Sequence, residues 1–159
     1  MHPRLAALTR VAVIAALCVL GGAARVDAAN CSISTTPIVF GVYNVFTIAP
    51  IDSTGSVVYR CNGNPNVLIT ISSGQNGTFS PRAMTKTSGG GTDKMAYNLY
   101  LDAARTTVWG DYSSGTSAFV DNSPQNNREQ EATIYGRIPA QQDVSAGSYA
   151  DTVTITLNF

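Results

Sequence analysis

The 159-residue chain is poor in charge and almost without histidine: charged residues make up 13% of it and His2 is its only imidazole. The typical soluble domain carries roughly 25% charged residues. Lys plus Arg and Asp plus Glu balance at 10 each, for a formal net charge of zero. No basic excess is therefore available to displace counterions from a phosphate backbone, which argues against nucleic acid as a partner. A lone histidine at position 2 removes Ser-His-Asp and Cys-His arrangements and most zinc sites from consideration. With 44% hydrophobic residues the chain still has ample apolar area for a core and is not of disordered composition.

The amino-terminal 28 residues read as an export signal. Met1–Arg10 carries Arg4 and Arg10 and no acid, an apolar run covers Val11–Leu20, and Gly21–Ala24 are small. Val26-Asp27-Ala28 places cleavage after Ala28. The apolar run is shorter than the ~20 residues a membrane span needs, so stable membrane insertion is not expected. Cys18, a conceivable lipidation site, follows the bulky Leu17 inside that run. Cleavage removes three arginines and one aspartate, leaving 7 basic and 9 acidic residues, a net charge of −2. It also leaves two cysteines, Cys31 and Cys61. In an oxidising compartment their simplest state is a disulfide, and neither has the C-x-x-C spacing or the cationic neighbours of a catalytic thiolate.

From residue 29 onward the pattern is that of strands. Val153, Ile155, Leu157 and Phe159 alternate with Thr152, Thr154, Thr156 and Asn158. Comparable runs occupy Pro37–Tyr43, Val57–Cys61, Val67–Ser72, Met95–Leu101 and Thr133–Ile138, separated by turn clusters such as Asn62-Gly63-Asn64-Pro65 and Ser88-Gly89-Gly90-Gly91. No sustained helical period occurs. The expectation is one all-β domain over 29–159, an immunoglobulin-like antiparallel β-sandwich of six or seven strands. The terminal run ends at Phe159 without a charge or proline after Asp151, a bare apolar edge of the kind proteins normally protect. Its neighbour is either an internal segment such as Pro37–Tyr43 or a strand from a partner.

An ordered set of motifs carries a family resemblance. Cys31-Ser32-Ile33-Ser34, Phe40-Gly41-Val42-Tyr43 and Gly55-x-Val57-x-Tyr59-x-Cys61 open it. Tyr97-Asn98-Leu99-Tyr100-Leu101-Asp102, Trp109-Gly110-Asp111, Tyr135-Gly136-Arg137-Ile138-Pro139 and Gly147-x-Tyr149-x-Asp151 complete it. Together they resemble the spore coat protein U domain over residues 31–159, a family that includes secreted subunits of archaic-type chaperone–usher pili. The resemblance implies an incomplete immunoglobulin-like fold lacking its last strand. A periplasmic chaperone, and then a neighbouring pilin-like subunit, would insert a donor strand into the gap. On that reading Ile38, Phe40 and Val42 face Val153, Ile155, Leu157 and Phe159 across an acceptor groove. The implied role is that of a secreted structural or adhesive subunit of a pilus or surface coat, with no cofactor and no enzymatic activity. Polymerising subunits of this type carry a donor extension before the first cysteine. Cleavage after Ala28 would leave only Ala29 and Asn30 there, which favours a tip-like or capping position.

Other constellations are open to both a chemical and a plain reading. Tyr97, Tyr100, Trp109 and Tyr112 could form a glycan-binding face, as in a self-complete carbohydrate-binding module, or pack the core. Asp93, Asp102, Asp111 and Asp121 lack the dense spacing of a calcium loop and suit turn capping, so no metal is expected. Glu129 and Glu131 would be solvated charges in a polar loop rather than a glycosidase pair. Gly89–Lys94 lacks the phosphate-loop register, and Asn76-Gly77-Thr78 fits either a glycosylation sequon or a turn.

Overall fold

A computed structural model of the chain describes residues 29–89 and 91–159, and the leader expected over residues 1–28 lies outside them. The described residues contain strands and no helix, arranged in two antiparallel sheets. The strands are β1 (Asn30–Thr36), β2 (Ile51–Asn62), β3 (Val67–Ile71), β4 (Arg82–Lys86), β5 (Lys94–Tyr100), β6 (Phe119–Asp121), β7 (Glu129–Ile138), β8 (Tyr149–Ala150) and β9 (Ile155–Asn158). The larger sheet has the order β1-β2-β7-β5-β4-β8 and the smaller the order β6-β3-β9.

Period-two burial explains which face each strand presents. Val57, Tyr59 and Cys61 on β2, Val67, Ile69 and Ile71 on β3, and Ala132 and Ile134 on β7 point inward and are buried, while their sequence neighbours are more exposed. Trp109, fully buried, closes this core from the β5–β6 connection. Its indole N–H donates to the Ile69 carbonyl at 2.9 Å, and its ring lies 5.9 Å from that of Phe119. Cys31 and Cys61 are directly opposed in the β1–β2 ladder and form a disulfide with a Cα–Cα distance of 4.1 Å.

One charged side chain is sealed inside. Arg82, with no exposed surface, donates from Nε to the Ser72 carbonyl at 3.0 Å. Its terminal nitrogens reach Asn98 Oδ1 and the Trp109 carbonyl, both at 2.7 Å. Burial draws its pKa down to about 10, so it remains a cation at neutral pH, solvated by protein carbonyls in place of water.

Several expectations need correction. Pro37–Tyr43 is not a ladder strand: Ile38 and Phe40 turn inward as alternation requires, but the segment joins no backbone ladder among the described residues. The single terminal strand is broken into β8 and β9 by residues 151–154. Strands β1, β4 and β6 are not among the expected runs, and the nine strands of the described residues exceed the six or seven expected. Glu129 and Glu131 lie on β7 and not in a loop. Trp109 and Tyr97 are core residues, which dissolves the four-aromatic glycan face.

Candidate functional site

The break between β8 and β9 carries the terminal segment from one sheet to the other. Tyr149 and Ala150 pair with Lys86 and Thr85 of β4 in the larger sheet, whereas Ile155–Asn158 pair with β3 in the smaller. Between them, Ser72 N donates to the Thr154 carbonyl at 2.9 Å and Thr154 N to Ser72 Oγ at 2.9 Å. Asp151 anchors the crossing. Its carboxylate accepts from the Tyr97 hydroxyl at 2.8 Å, from Asn76 Nδ2 at 2.9 Å and from Gln75 N at 3.1 Å. Burial and this contact with Asp151 push the Tyr97 phenol upward, so it stays a donor. Gly74, at φ +85°, has no room for a Cβ against the same carboxylate. The terminal segment is thus held along one side only, and no strand among the described residues pairs with its other side.

An apolar cleft follows that free side. Its narrower part, about 380 Å³, is lined by Ile38 and Phe40 on one bank and Val153 and Ile155 on the other, with Met84, Tyr97, Leu99 and Ile134 beneath. A wider part of about 920 Å³ continues past Val42, Tyr43 and Val45 toward Val144–Tyr149. Ile38, Phe40, Met84 and Tyr149 line both. Of the seven residues expected to form a groove, four line the narrow part. Val42 lines the wide part and is 92% exposed. Leu157 packs partly buried against the core, and Phe159 is exposed; neither lines the cleft.

Two glycines named above only as motif members, Gly55 and Gly136, make the first bank possible. A Cβ on Gly55 would lie 2.6 Å from the Thr36 carbonyl oxygen and 2.7 Å from Ile38 Cγ1, and one on Gly136 would lie 2.8 Å from Phe40 Cζ. Glycines inside otherwise β-branched strands signal such close approach. Beyond them, Ser53 Oγ donates to the Val39 carbonyl at 2.8 Å, and the Tyr43 hydroxyl donates to the Pro139 carbonyl at 3.0 Å. Val39, Val42, Phe46 and Ile48 stay exposed.

The cleft mouth is fastened by polar contacts. Asp93 accepts from both Ser145 N and Ser145 Oγ, and Lys86 Nζ donates to Ser145 Oγ at 2.8 Å. These bonds hold the Asp93 carboxyl below its usual range. Asp102 and Asp111 are likewise lowered by backbone and hydroxyl donors of their own turns, and Asp121 accepts from Ser123 N and the Tyr59 hydroxyl. Among the described residues no cluster of His, Cys, Asp or Glu side chains is arranged to hold a metal ion.

The chain that carries these motifs matches the family model of the Spore Coat Protein U domain over residues 15–156. The chain belongs to the Spore Coat Protein U domain family. Protein U of Myxococcus xanthus is 26% identical over 129 residues, covering 76% of this chain and 70% of that protein. A chain of the CsuC–CsuE chaperone–tip adhesion subunit pre-assembly complex, from the archaic chaperone–usher Csu pili of Acinetobacter baumannii, shares the fold. It is 23% identical with a TM-score of 0.56 over 83% of this chain, which spans 40% of that one. The minor tip subunit HdaB of the E. coli Hda pilus is 14% identical, with a TM-score of 0.45 over 79% of each chain.

Proposed function

We propose that this Spore Coat Protein U domain chain is an exported, non-enzymatic subunit of a surface pilus or coat that accepts a β-strand from a partner into the cleft between Ile38–Tyr43 and Tyr149–Ile155. One observation carries the reading: two extended segments flank an open apolar cleft, and neither is paired on the side that faces it. A strand laid between them would supply the missing backbone partners and bury alternate side chains against Ile38, Phe40, Val153 and Ile155. Four or five such side chains at roughly 1.5–3 kcal/mol each contribute about 6–15 kcal/mol before ordering costs. That is as large as the stability of a whole domain, ~5–15 kcal/mol, so capture of the strand behaves as completion of folding. The partners are a periplasmic chaperone in transit and a pilin-like subunit at the surface. With cleavage after Ala28, two residues would precede Cys31 and reach at most ~7 Å, too short to serve as a donor strand. On that ground we place the chain at the tip or cap of its fibre.

Protein recovered from the periplasm and cell surface, run on denaturing gels with and without boiling, tests this directly. A boiling-sensitive complex with a chaperone or subunit is expected, and Ile155→Asp should abolish it while leaving export intact. A cooperative monomer that starts at Ala29 and captures no partner would overturn the strand-acceptor reading. It would favour a self-complete binding module. A mature N-terminus well upstream of Ala28 would overturn the tip or cap placement alone.

A further inference from the structure

The outward face of the larger sheet carries a second, chemically distinct feature. Asp52 faces Arg137 and Thr54 faces Tyr135 across β2 and β7, and Tyr135 in turn faces Tyr100 across β7 and β5. Arg137 clasps the Asp52 carboxylate with Nε at 2.7 Å and Nη2 at 2.8 Å. Arg105 reaches the same carboxylate at 3.1 Å, with its guanidinium 5.8 Å from the centre of the Tyr135 ring. The turn from Asp102 to Thr107 puts it there: Asp102 accepts from Thr106 N and Thr107 N, Arg105 N donates to the Asp102 carbonyl, and Arg105 adopts φ +59°. Two guanidiniums thus share one carboxylate. Among the described residues, Arg137 Nη1, Arg105 Nη2 and the hydroxyls of Tyr100 and Tyr135 make no hydrogen bond.

We infer that this face binds an acidic polysaccharide through its uronate-type carboxylates, with Arg137 and Arg105 as the anion donors and Tyr100 and Tyr135 as the sugar platform. Charge complementarity carries the choice of ligand: Arg137 and Arg105 together exceed the one carboxylate they share by one positive charge, and Arg137 Nη1 and Arg105 Nη2 remain as planar donors of the kind that recognises carboxylate oxygens. A cross-strand pair of half-buried tyrosines adds flat apolar area with hydroxyls at its rim, suited to the C–H face and hydroxyls of a pyranose ring. The pre-existing grip of Asp52 fixes both arginines before any ligand arrives, which limits the ordering that binding must impose. Side chains alternate along β7, so Tyr135 and Arg137 lie on the face opposite Gly136 and the cleft. An occupied cleft leaves this surface open.

The test is calorimetric titration of the isolated full chain with oligogalacturonate, against a neutral galacto-oligosaccharide and inorganic polyphosphate of similar length. Binding of oligogalacturonate alone is expected. Arg137→Gln and Tyr100→Ala should each weaken it at least tenfold, and Arg60→Gln, on the same face but distant in register, should leave it unchanged. Arg137→Lys, which keeps the charge and the fold but loses the planar fork, should weaken it about fivefold. The inference is overturned if oligogalacturonate does not bind, if polyphosphate binds equally well, or if Arg137→Lys retains full affinity.

Discussion

Phe40 rests its ring edge on the bare Cα of Gly136, so close that a Cβ there would stand 2.8 Å from Phe40 Cζ. The contact sets the height at which the Pro37–Tyr43 segment crosses the larger sheet, and with it the position of one bank of the cleft. Gly136→Ala should displace the ring, which also meets Tyr97 edge-on at 6.2 Å. Overpacking of this kind typically costs about 1–3 kcal/mol. A urea-unfolding cycle with Phe40→Ala checks it: the double variant should lose clearly less than the sum of the single losses, because the clash needs both residues. Simple additivity would show that the two do not touch in solution.

The buried cation makes a larger prediction. Arg82→Met would leave Ser72 O, Trp109 O and Asn98 Oδ1 without their charged donor in a dry interior. Asn98 Oδ1 keeps Leu99 N at 3.0 Å, but the two orphaned carbonyls cost ~1–3 kcal/mol each, so a loss of about 2–6 kcal/mol is expected, with a matching fall in the urea midpoint. Arg82→Lys should recover little of it. One ammonium cannot occupy three sites that a planar fork spans.

These two residues also mark where sequence reading succeeds and where it stops. Alternation reports which side of a segment is buried, and it does so correctly for Val153 and Ile155 and for Ile38 and Phe40. It does not report whether a neighbour is hydrogen-bonded, which is why Pro37–Tyr43 resembles a strand without being in a ladder. β1 was invisible because nearly all of Asn30–Thr36 is exposed and polar, with pairing to β2 as its main support. β4 was hidden by Arg82, a charge at an inward position that no hydropathy pattern would place there. The Cys31–Cys61 bond is legible because only two cysteines follow the expected cleavage site, which leaves few alternatives. The Asp52 cluster was not, since Arg105 reaches it from a turn 53 positions along the chain.

Acid should loosen that cluster. The hydrogen bonds from Arg137 hold the Asp52 carboxyl below its ordinary value of 3.8, outweighing desolvation, and Arg105 adds to the effect. A carboxyl whose folded pKa is depressed contributes stability that is complete above its unfolded value and is lost as pH falls through the folded one. Stability should therefore decline below about pH 4. Asp52→Asn should lower stability at pH 7 by no more than ~1 kcal/mol, as the Asp52 and Arg137 side chains keep about a third of their surface in water, and should flatten part of the acid limb. Thermal melts of both proteins from pH 7 to pH 2 measure this. Parallel acid limbs would mean that Asp52 titrates normally in the folded chain.

The disulfide closes a loop whose ends are 30 residues apart, and that loop contains both β1 and the first bank of the cleft. In the chain-entropy model such a crosslink restricts the unfolded state by roughly 3.5 kcal/mol. Its native-state effect should be local, since β1 pairs with β2 alone and has few buried side chains to hold it otherwise. Replacing both cysteines by alanine should lower the urea midpoint by a corresponding amount. It should also raise amide exchange over residues 30–43 well before the β2–β7–β5 centre of the sheet opens. Because Ile38 and Phe40 follow directly from β1, the same variant should, on the proposed strand-acceptor reading, capture a partner strand less efficiently than wild type. Unchanged exchange over 30–43 would show that Gly55 and Gly136 seat the segment without help from the crosslink.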